Sequence, residues 1–187
     1  MLHYIDFRVL PDPESAEHQL MATLFARLHV ELAQVNSQQI AVSFPGYKLK
    51  PLTTGSCLRL IGPAPELNRL MEHDWLKALR DHLHLSAIAP VPQHALHRTL
   101  RRVQAKSSPE RLRRRLMRRH DITYDEALTR IPDSCAEKLA LPFLMLNSSS
   151  TKQRFPLFLQ LGPTTIEARS GTFNSYGLSS TATTPWF

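Results

Sequence analysis

Guanidinium groups crowd one stretch of this 187-residue chain, RVQAKSSPERLRRRLMRRH, residues 102–120. Residues 98–119 hold ten basic residues and one acid, while the other 165 residues hold 13 basic and 15 acidic ones. A near-neutral body thus carries one strongly positive element within a net charge of +7. That distribution points to a polyanion bound at a defined place. Ser108 suits a helix N-cap and Pro109 the first helical position, where a missing N–H costs nothing. At about 100° per residue, Arg111, Arg114, Arg115, Arg118 and Arg119 fall within one arc. Leu112, Leu116 and Met117 fall opposite, with Arg113 near their edge. Like charges on one helical face repel, and almost no acid is interleaved to relieve them. A solvated charged face is the bland alternative. Nucleic acid fits better, because arginine captures phosphates and guanine edges in bidentate fashion. Charge alone does not choose between DNA and RNA, and no helix-turn-helix or zinc-finger spacing is present.

The elements that must position such a helix are legible in outline. HYIDFRV places Ile5, Phe7 and Val9 at period two, a half-buried strand. Residues 16–35 recur at helical spacing through Met21, Leu24, Leu28, Leu32 and Val35. QIAVSFPG and CLRLIG read as further strands, with Pro45 and Gly46 ending the first. APELNRLMEHDWLKALRDHL reads as helix with a break near Asp74, and HLSAIAPV as a weaker strand. The order β-α-β-β-α-β predicts a ferredoxin-like domain over residues 1–92. Pro90 and Pro92 mark a boundary. Beyond it, residues 93–187 predict a second, α+β domain carrying the arginine-rich helix 108–119. In that half, HRTLRRVQ reads as extended chain and DITYDEALTRI as a short helix opened by a Thr123/Glu126 capping box. FLMLNSS, RFPLFLQL, TIEARS and TFNSYGL read as strands.

Composition narrows the class. No apolar run approaches the ~20 residues of a membrane span, and MLHYIDFRVLPDPE lacks the basic and apolar regions of a secretion signal. The two cysteines, Cys57 and Cys135, have no metal-ligand spacing and are expected to be free thiols in a reducing cytoplasm.

Seven strings taken together carry a resemblance along essentially the whole chain: HYIDFRVLPDPE, VSFP, RVQAKSSPERLRRRLMRRHD, RIPD, LPF, SYGLS and the terminal PWF. With them the chain resembles the CRISPR-associated endoribonucleases of subtype I-F, which cut precursor CRISPR RNA within its repeats. The resemblance implies an arginine-rich helix in the major groove of a short RNA hairpin and cleavage at the 3′ base of the stem. A-form major grooves are normally too deep and narrow for side chains, but a hairpin of a few pairs opens its groove at both ends. The resemblance also implies that Arg102 and Gln104 read the last bases of the stem. Arginine pairs with guanine O6/N7 and glutamine with adenine N6/N7, and period-two spacing puts both on one side of a strand. Phe155 corresponds to an aromatic stacked beneath the terminal pair, although its parity with Leu157 and Leu159 equally suits core packing.

The implied chemistry needs no metal and no cofactor. The upstream 2′-hydroxyl attacks the neighbouring phosphate, leaving a 2′,3′-cyclic phosphate and a 5′-hydroxyl. His29 corresponds to the catalytic histidine, the side-chain type that exchanges protons most readily near neutral pH. Beside Phe25 and Leu32 it could equally be structural. Ser148, one of three consecutive serines, corresponds to the residue that positions the 2′-hydroxyl, and Tyr176 to the one that orients the histidine or ribose. The implied partners are the repeat hairpin, as precursor and as mature guide RNA, and the other proteins of the type I-F surveillance complex. A monomer on RNA is expected, with no membrane role. A non-catalytic RNA hairpin-binding subunit is the rival reading, and a DNA-binding accessory protein a more distant one.

Overall fold

A computed structural model describes residues 1–105, 108–135, 139–148 and 153–187. These form two compact units, one of residues 1–103 with 141–187 and one of residues 104–140. The chain is α+β, with antiparallel sheets and few helices.

The larger unit begins with β1 (Leu2–Val9), on which Ile5, Phe7 and Val9 alternate inward. Helix α1 (Glu17–Val35) follows, burying Leu20, Met21, Leu24, Phe25, Leu28 and Leu32 along one face. Asn36, at φ 49°, ends it in the left-handed conformation that suits a C-terminal cap. Next come β2 (Ala41–Ser43), a small hairpin of β3 (Lys48–Leu49) and β4 (Leu52–Thr53), and β5 (Cys57–Pro63). The expected long second helix is short: α2 (Ala64–Met71) stops, and a 3-10 turn over Lys77–His82 replaces its second half. Trp75 lies between them, buried with its indole N–H donating to the Leu70 carbonyl at 3.1 Å. The weak fourth strand is two pieces, β6 (Leu83–Leu85) and β7 (Ala89–Pro90), both paired antiparallel to β1. The sheet order is β2-β5-β1-β6, with β7 also on β1.

HRTLRRVQ divides into β8 (Leu96–Arg98) and β9 (Leu100–Val103), which join different sheets. In the smaller unit lie α3 (Pro109–His120) and α4 (Tyr124–Arg130). The larger unit resumes with β10 (Phe143–Asn147) and β11 (Arg154–Leu161), an antiparallel pair extended by β9 in the order β10-β11-β9. TIEARS and TFNSYGL are not strands: the first contributes a single bridge, His97 to Thr165, and the second is a turn. Instead the chain end forms β12 (Thr184–Trp186) against β8. Its last residue is clasped by Arg59, which holds both Asp6 carboxylate oxygens at 2.7 and 2.8 Å and the Phe187 oxygen at 2.7 Å.

One hydrophobic cluster runs through the larger unit, joining Phe7, Phe25 and Leu60 to Leu100, Leu144, Leu146, Leu157, Leu159 and Leu178. Each buried side chain of this size contributes about 1.5–3 kcal/mol. Cys57 belongs to this interior. Its burial, aided by the Asp6 carboxylate, pushes the thiol up to about 11, so it is protonated and inert near neutral pH. Among the described residues no helix is long and apolar enough to cross a membrane.

Candidate active site and nucleic-acid interface

Four of the residues singled out above meet in the larger unit. A cleft of about 600 Å³ is lined by His29, Ser148, Phe155 and Tyr176, over a floor of Ala26 and Leu146. His29 stands on α1 at the edge of the buried stripe, one turn after Phe25, and is half-buried. Ser148 follows the last residue of β10, and its backbone N–H donates to the Gln153 carbonyl at 2.9 Å. Phe155 lies on β11, half-buried against the core and open to the cleft. Its packing against the core is what its parity with Leu157 and Leu159 suggested.

The imidazole is held from two directions. Its ring lies on the Tyr176 ring, with centroids 3.7 Å apart and planes 4° from parallel. Tyr176 also covers Phe25, one helical turn before His29, at 6.0 Å. His29 Nδ1 is 2.9 Å from the Ser175 carbonyl oxygen. A carbonyl only accepts, so Nδ1 carries a proton whether the ring is neutral or charged. The other nitrogen, Nε2, is the one left to exchange a proton with a ligand.

A tight turn aims that carbonyl. The Asn174 side-chain oxygen accepts from the backbone N–H groups of Tyr176 at 2.9 Å and Leu178 at 3.2 Å. Gly177 takes φ +68°, and its carbonyl accepts from the Val42 N–H at 2.8 Å, fastening the turn to β2. A Cβ on Gly177 would lie 2.5 Å from Val42 Cγ2 and 3.0 Å from Val42 N. We therefore expect Gly177→Ala to cost about 1–3 kcal/mol and to unseat Tyr176. A lowered thermal midpoint is the expected result, and an unchanged one refutes this account of the turn. Sequence reasoning missed Asn174, Ser175 and Gly177 as site-builders. The signal was present, since Asn and Gly three positions apart mark a turn more than a strand.

Arg102 lies on β9 opposite Leu159, half-buried, with its guanidinium 5.5 Å from the centre of the Phe155 ring. Its Nε is buried without a hydrogen-bond partner among the described residues. Arg101, by contrast, is tied to the Gln160 side chain at 2.6 and 3.0 Å. Among the described residues that line the cleft there is no carboxylate. Nor does any group of three or more His, Cys, Asp or Glu among the described residues converge as a metal site would require.

The smaller unit carries Gln104, exposed at its start, and the arginines. Ser108 caps α3 by accepting from the Arg111 N–H at 3.2 Å, and the Thr123/Glu126 capping box opens α4. Arg111, Arg114, Arg115, Arg118 and Arg119 are all exposed. Of the five, Arg114 has an acidic neighbour on the helix, Glu110 at 3.6 Å.

Arg113 behaves differently: it is 3% exposed. Its Nε donates to the Ile131 carbonyl at 2.8 Å, Nη1 to the Tyr124 hydroxyl at 3.1 Å, and Nη2 to the Asp133 carboxylate. The Asp133 hydrogen bond raises its pKa further, so the charge is permanent. Arg113 thus fastens α3 to α4 and the turn beyond, whereas its neighbours face outward. Arg113→Ala is expected to speed amide exchange across residues 109–131 while leaving the salt dependence of nucleic-acid binding unchanged. A flattened salt slope would place Arg113 among the ligand-binding residues instead.

The family model described as CRISPR-associated protein (Cas_Csy4) matches residues 4–187. The chain belongs to this family. It is 48% identical over 187 residues to a protein named CRISPR-associated endonuclease Cas6/Csy4 from Pseudomonas aeruginosa (strain UCBPP-PA14). A protein of the same name from Escherichia coli (strain UTI89 / UPEC) is 43% identical over 187 residues. Both matches cover 100% of this chain and 100% of the relative. Membership of the Csy4 family therefore extends over the cleft and the arginine helix alike.

Proposed function

We propose that this protein is a metal-independent endoribonuclease that binds the CRISPR repeat hairpin and cuts at the 3′ base of its stem. The convergence of His29, Ser148, Phe155 and Tyr176 on one cleft carries this reading. The 2′-oxygen attacks the adjacent phosphorus and the P–O5′ bond breaks. The 2′-hydroxyl proton is lost and the leaving 5′-oxygen gains one, leaving a 2′,3′-cyclic phosphate and a 5′-hydroxyl. His29 Nε2 handles one of these protons. Ser148 positions the attacking ribose, and Tyr176 keeps the imidazole in plane. Phe155 receives the last base pair by stacking, an interaction worth ~1–3 kcal/mol by truncation.

Arg102, with its unsatisfied Nε and a guanidinium already over an aromatic ring, is suited to reading a guanine edge. Gln104 reads the neighbouring base, and Arg111, Arg114, Arg115, Arg118 and Arg119 contact phosphates. We also infer a ferredoxin-like domain over 1–92, supported by the order β2-β5-β1-β6 with α1 and α2 as its connections. Residues 93–187 form the RNA-binding half. The monomeric protein acts in the cytoplasm and stays on the mature guide RNA beside the other proteins of a type I-F surveillance complex.

Incubating a repeat hairpin with the protein in excess EDTA tests the proposal. Cleavage with cyclic-phosphate ends is expected, and a single 2′-deoxy substitution at the attacking ribose should abolish it without weakening binding. Tight binding with no cleavage of the all-ribose RNA would mark a non-catalytic hairpin-binding subunit instead.

A further inference from the structure

His29 meets the turn over residues 174–178 twice: Nδ1 lies 2.9 Å from the Ser175 carbonyl oxygen, and the ring stacks on Tyr176. The turn is pinned at both ends. The Phe173 N–H donates to the Gln38 carbonyl at 3.0 Å, and the Gly177 carbonyl accepts from the Val42 N–H at 2.8 Å. Between these anchors lies the peptide that joins Ser175 to Tyr176. Its carbonyl faces His29 Nδ1, and its N–H donates to the Asn174 side-chain oxygen at 2.9 Å. A peptide unit is planar, and in the trans form its C=O and N–H point opposite ways. Gripping the N–H on one side therefore aims the carbonyl on the other. The same Asn174 oxygen also accepts from the Leu178 N–H at 3.2 Å, so its own direction is set. Asn174 is exposed, and its side chain adds nothing to the buried core. Its backbone closes the turn independently, donating to the Leu178 carbonyl at 3.0 Å and accepting from the Gly177 N–H at 2.8 Å. Those two bonds survive any change of side chain.

We infer that Asn174 is a positioning residue for cleavage, which selects the proton-bearing nitrogen of His29 through the Ser175–Tyr176 peptide. This role rests on the reading of His29 as the group that handles a reaction proton. A neutral imidazole holds one proton, and the hydrogen bond made by one ring nitrogen decides where it sits. An unconstrained ring favours Nε2–H. With the Ser175 carbonyl accepting from Nδ1, the neutral ring is the Nδ1–H form and Nε2 keeps its lone pair. Cleavage passes between that form and the imidazolium in either role: a base starts from Nδ1–H, and an acid ends there. The Nε2–H form serves neither, because it has no lone pair at the nitrogen left for the ligand. Among the described residues lining the cleft there is no carboxylate to take over the proton. Without the Asn174 side chain the peptide plane is free to turn and its carbonyl leaves Nδ1. The ring still stacks on Tyr176, so the tautomer changes while the imidazole stays in the cleft.

The test pairs imidazole nitrogen NMR with single-turnover cleavage of the repeat hairpin, on the full chain labelled with heavy nitrogen in histidine. Long-range proton–nitrogen spectra at mildly alkaline pH, where an ordinary imidazole is neutral, show which nitrogen carries the proton. The His29 signals are assigned by their loss in His29→Ala. The wild-type ring should be the Nδ1–H form. Asn174→Ala should move it toward Nε2–H and slow cleavage by on the order of ten- to a hundredfold, a smaller loss than removal of the histidine. Affinity for the hairpin blocked by a 2′-deoxy at the attacking ribose should not change. Asn174→Asp keeps an oxygen acceptor at the same place and should keep the wild-type tautomer and most of the rate. An unchanged tautomer in Asn174→Ala overturns the inference, whatever the rate does, and so does an equal loss of rate and affinity or a failure of Asn174→Asp to retain the rate. In each of these cases the reading of His29 stands as long as His29→Ala blocks cleavage. Full cleavage by His29→Ala overturns that reading and this inference with it.

Discussion

Replacing His29 by alanine is expected to lower the single-turnover cleavage rate by about 10²–10⁴-fold, the usual contribution of a positioned acid or base. Hairpin affinity should stay close to that of the unchanged protein. Two features make the effect selective. The imidazole is half-exposed and packs on Tyr176 and the Ser175 carbonyl, so its removal leaves the buried stripe of α1 intact. Phosphate capture, moreover, is assigned to the separate set of arginines on α3. Single-turnover cleavage of a labelled hairpin and a binding isotherm with the 2′-deoxy analogue measure the two quantities independently. Equal loss of both would show that His29 holds RNA and does not handle its protons.

Removing Arg115 and Arg119 together should weaken hairpin binding strongly and reduce its dependence on salt. Both are exposed, and neither has a carboxylate partner among the described residues. A hydrogen bond between a guanidinium and a phosphate oxygen is worth about 1.5–3 kcal/mol. Each phosphate no longer neutralised removes roughly 0.7–0.9 from the slope of log affinity against log salt. The double variant should therefore flatten that slope by about 1.4–1.8. Titrations over a range of monovalent salt decide it. An unchanged slope would mean that these arginines do not release counterions from the RNA backbone, whatever happens to the affinity at one salt concentration. Arg113→Ala is the internal control, since its guanidinium is committed to Ile131, Tyr124 and Asp133.

Arg113 also shows where pattern reading stops. Helical periodicity placed it at the edge of the apolar side, which is where it lies. What it does there depends on Ile131 and Asp133, 18 and 20 residues away. TFNSYGL failed for a related reason. Its aromatic residues suggest a strand, but Asn174 satisfies two backbone N–H groups locally, and Gly177 bends the chain onto Val42. The break near Asp74 was expected from the sequence, and α2 ends at Met71, just before Glu72, His73 and Asp74.

Features written into short-range order could be read from the chain alone: the cap of α3 at Ser108, the capping box of α4, the inward alternation of β1 and the outward arc of five arginines. Each depends on residues within a few positions of one another, where backbone geometry leaves little choice. Even His29, Ser148, Phe155 and Tyr176 could be named, because strings spread along the chain resemble a family, although of the four residues Tyr176 alone lies inside one of them. That they share one cleft could not be derived from spacing. Nor could the role of the Ser175 carbonyl, 146 residues from the imidazole it holds. A main-chain oxygen has no residue type to betray it, and its position follows from strand pairing and core packing summed over the whole larger unit.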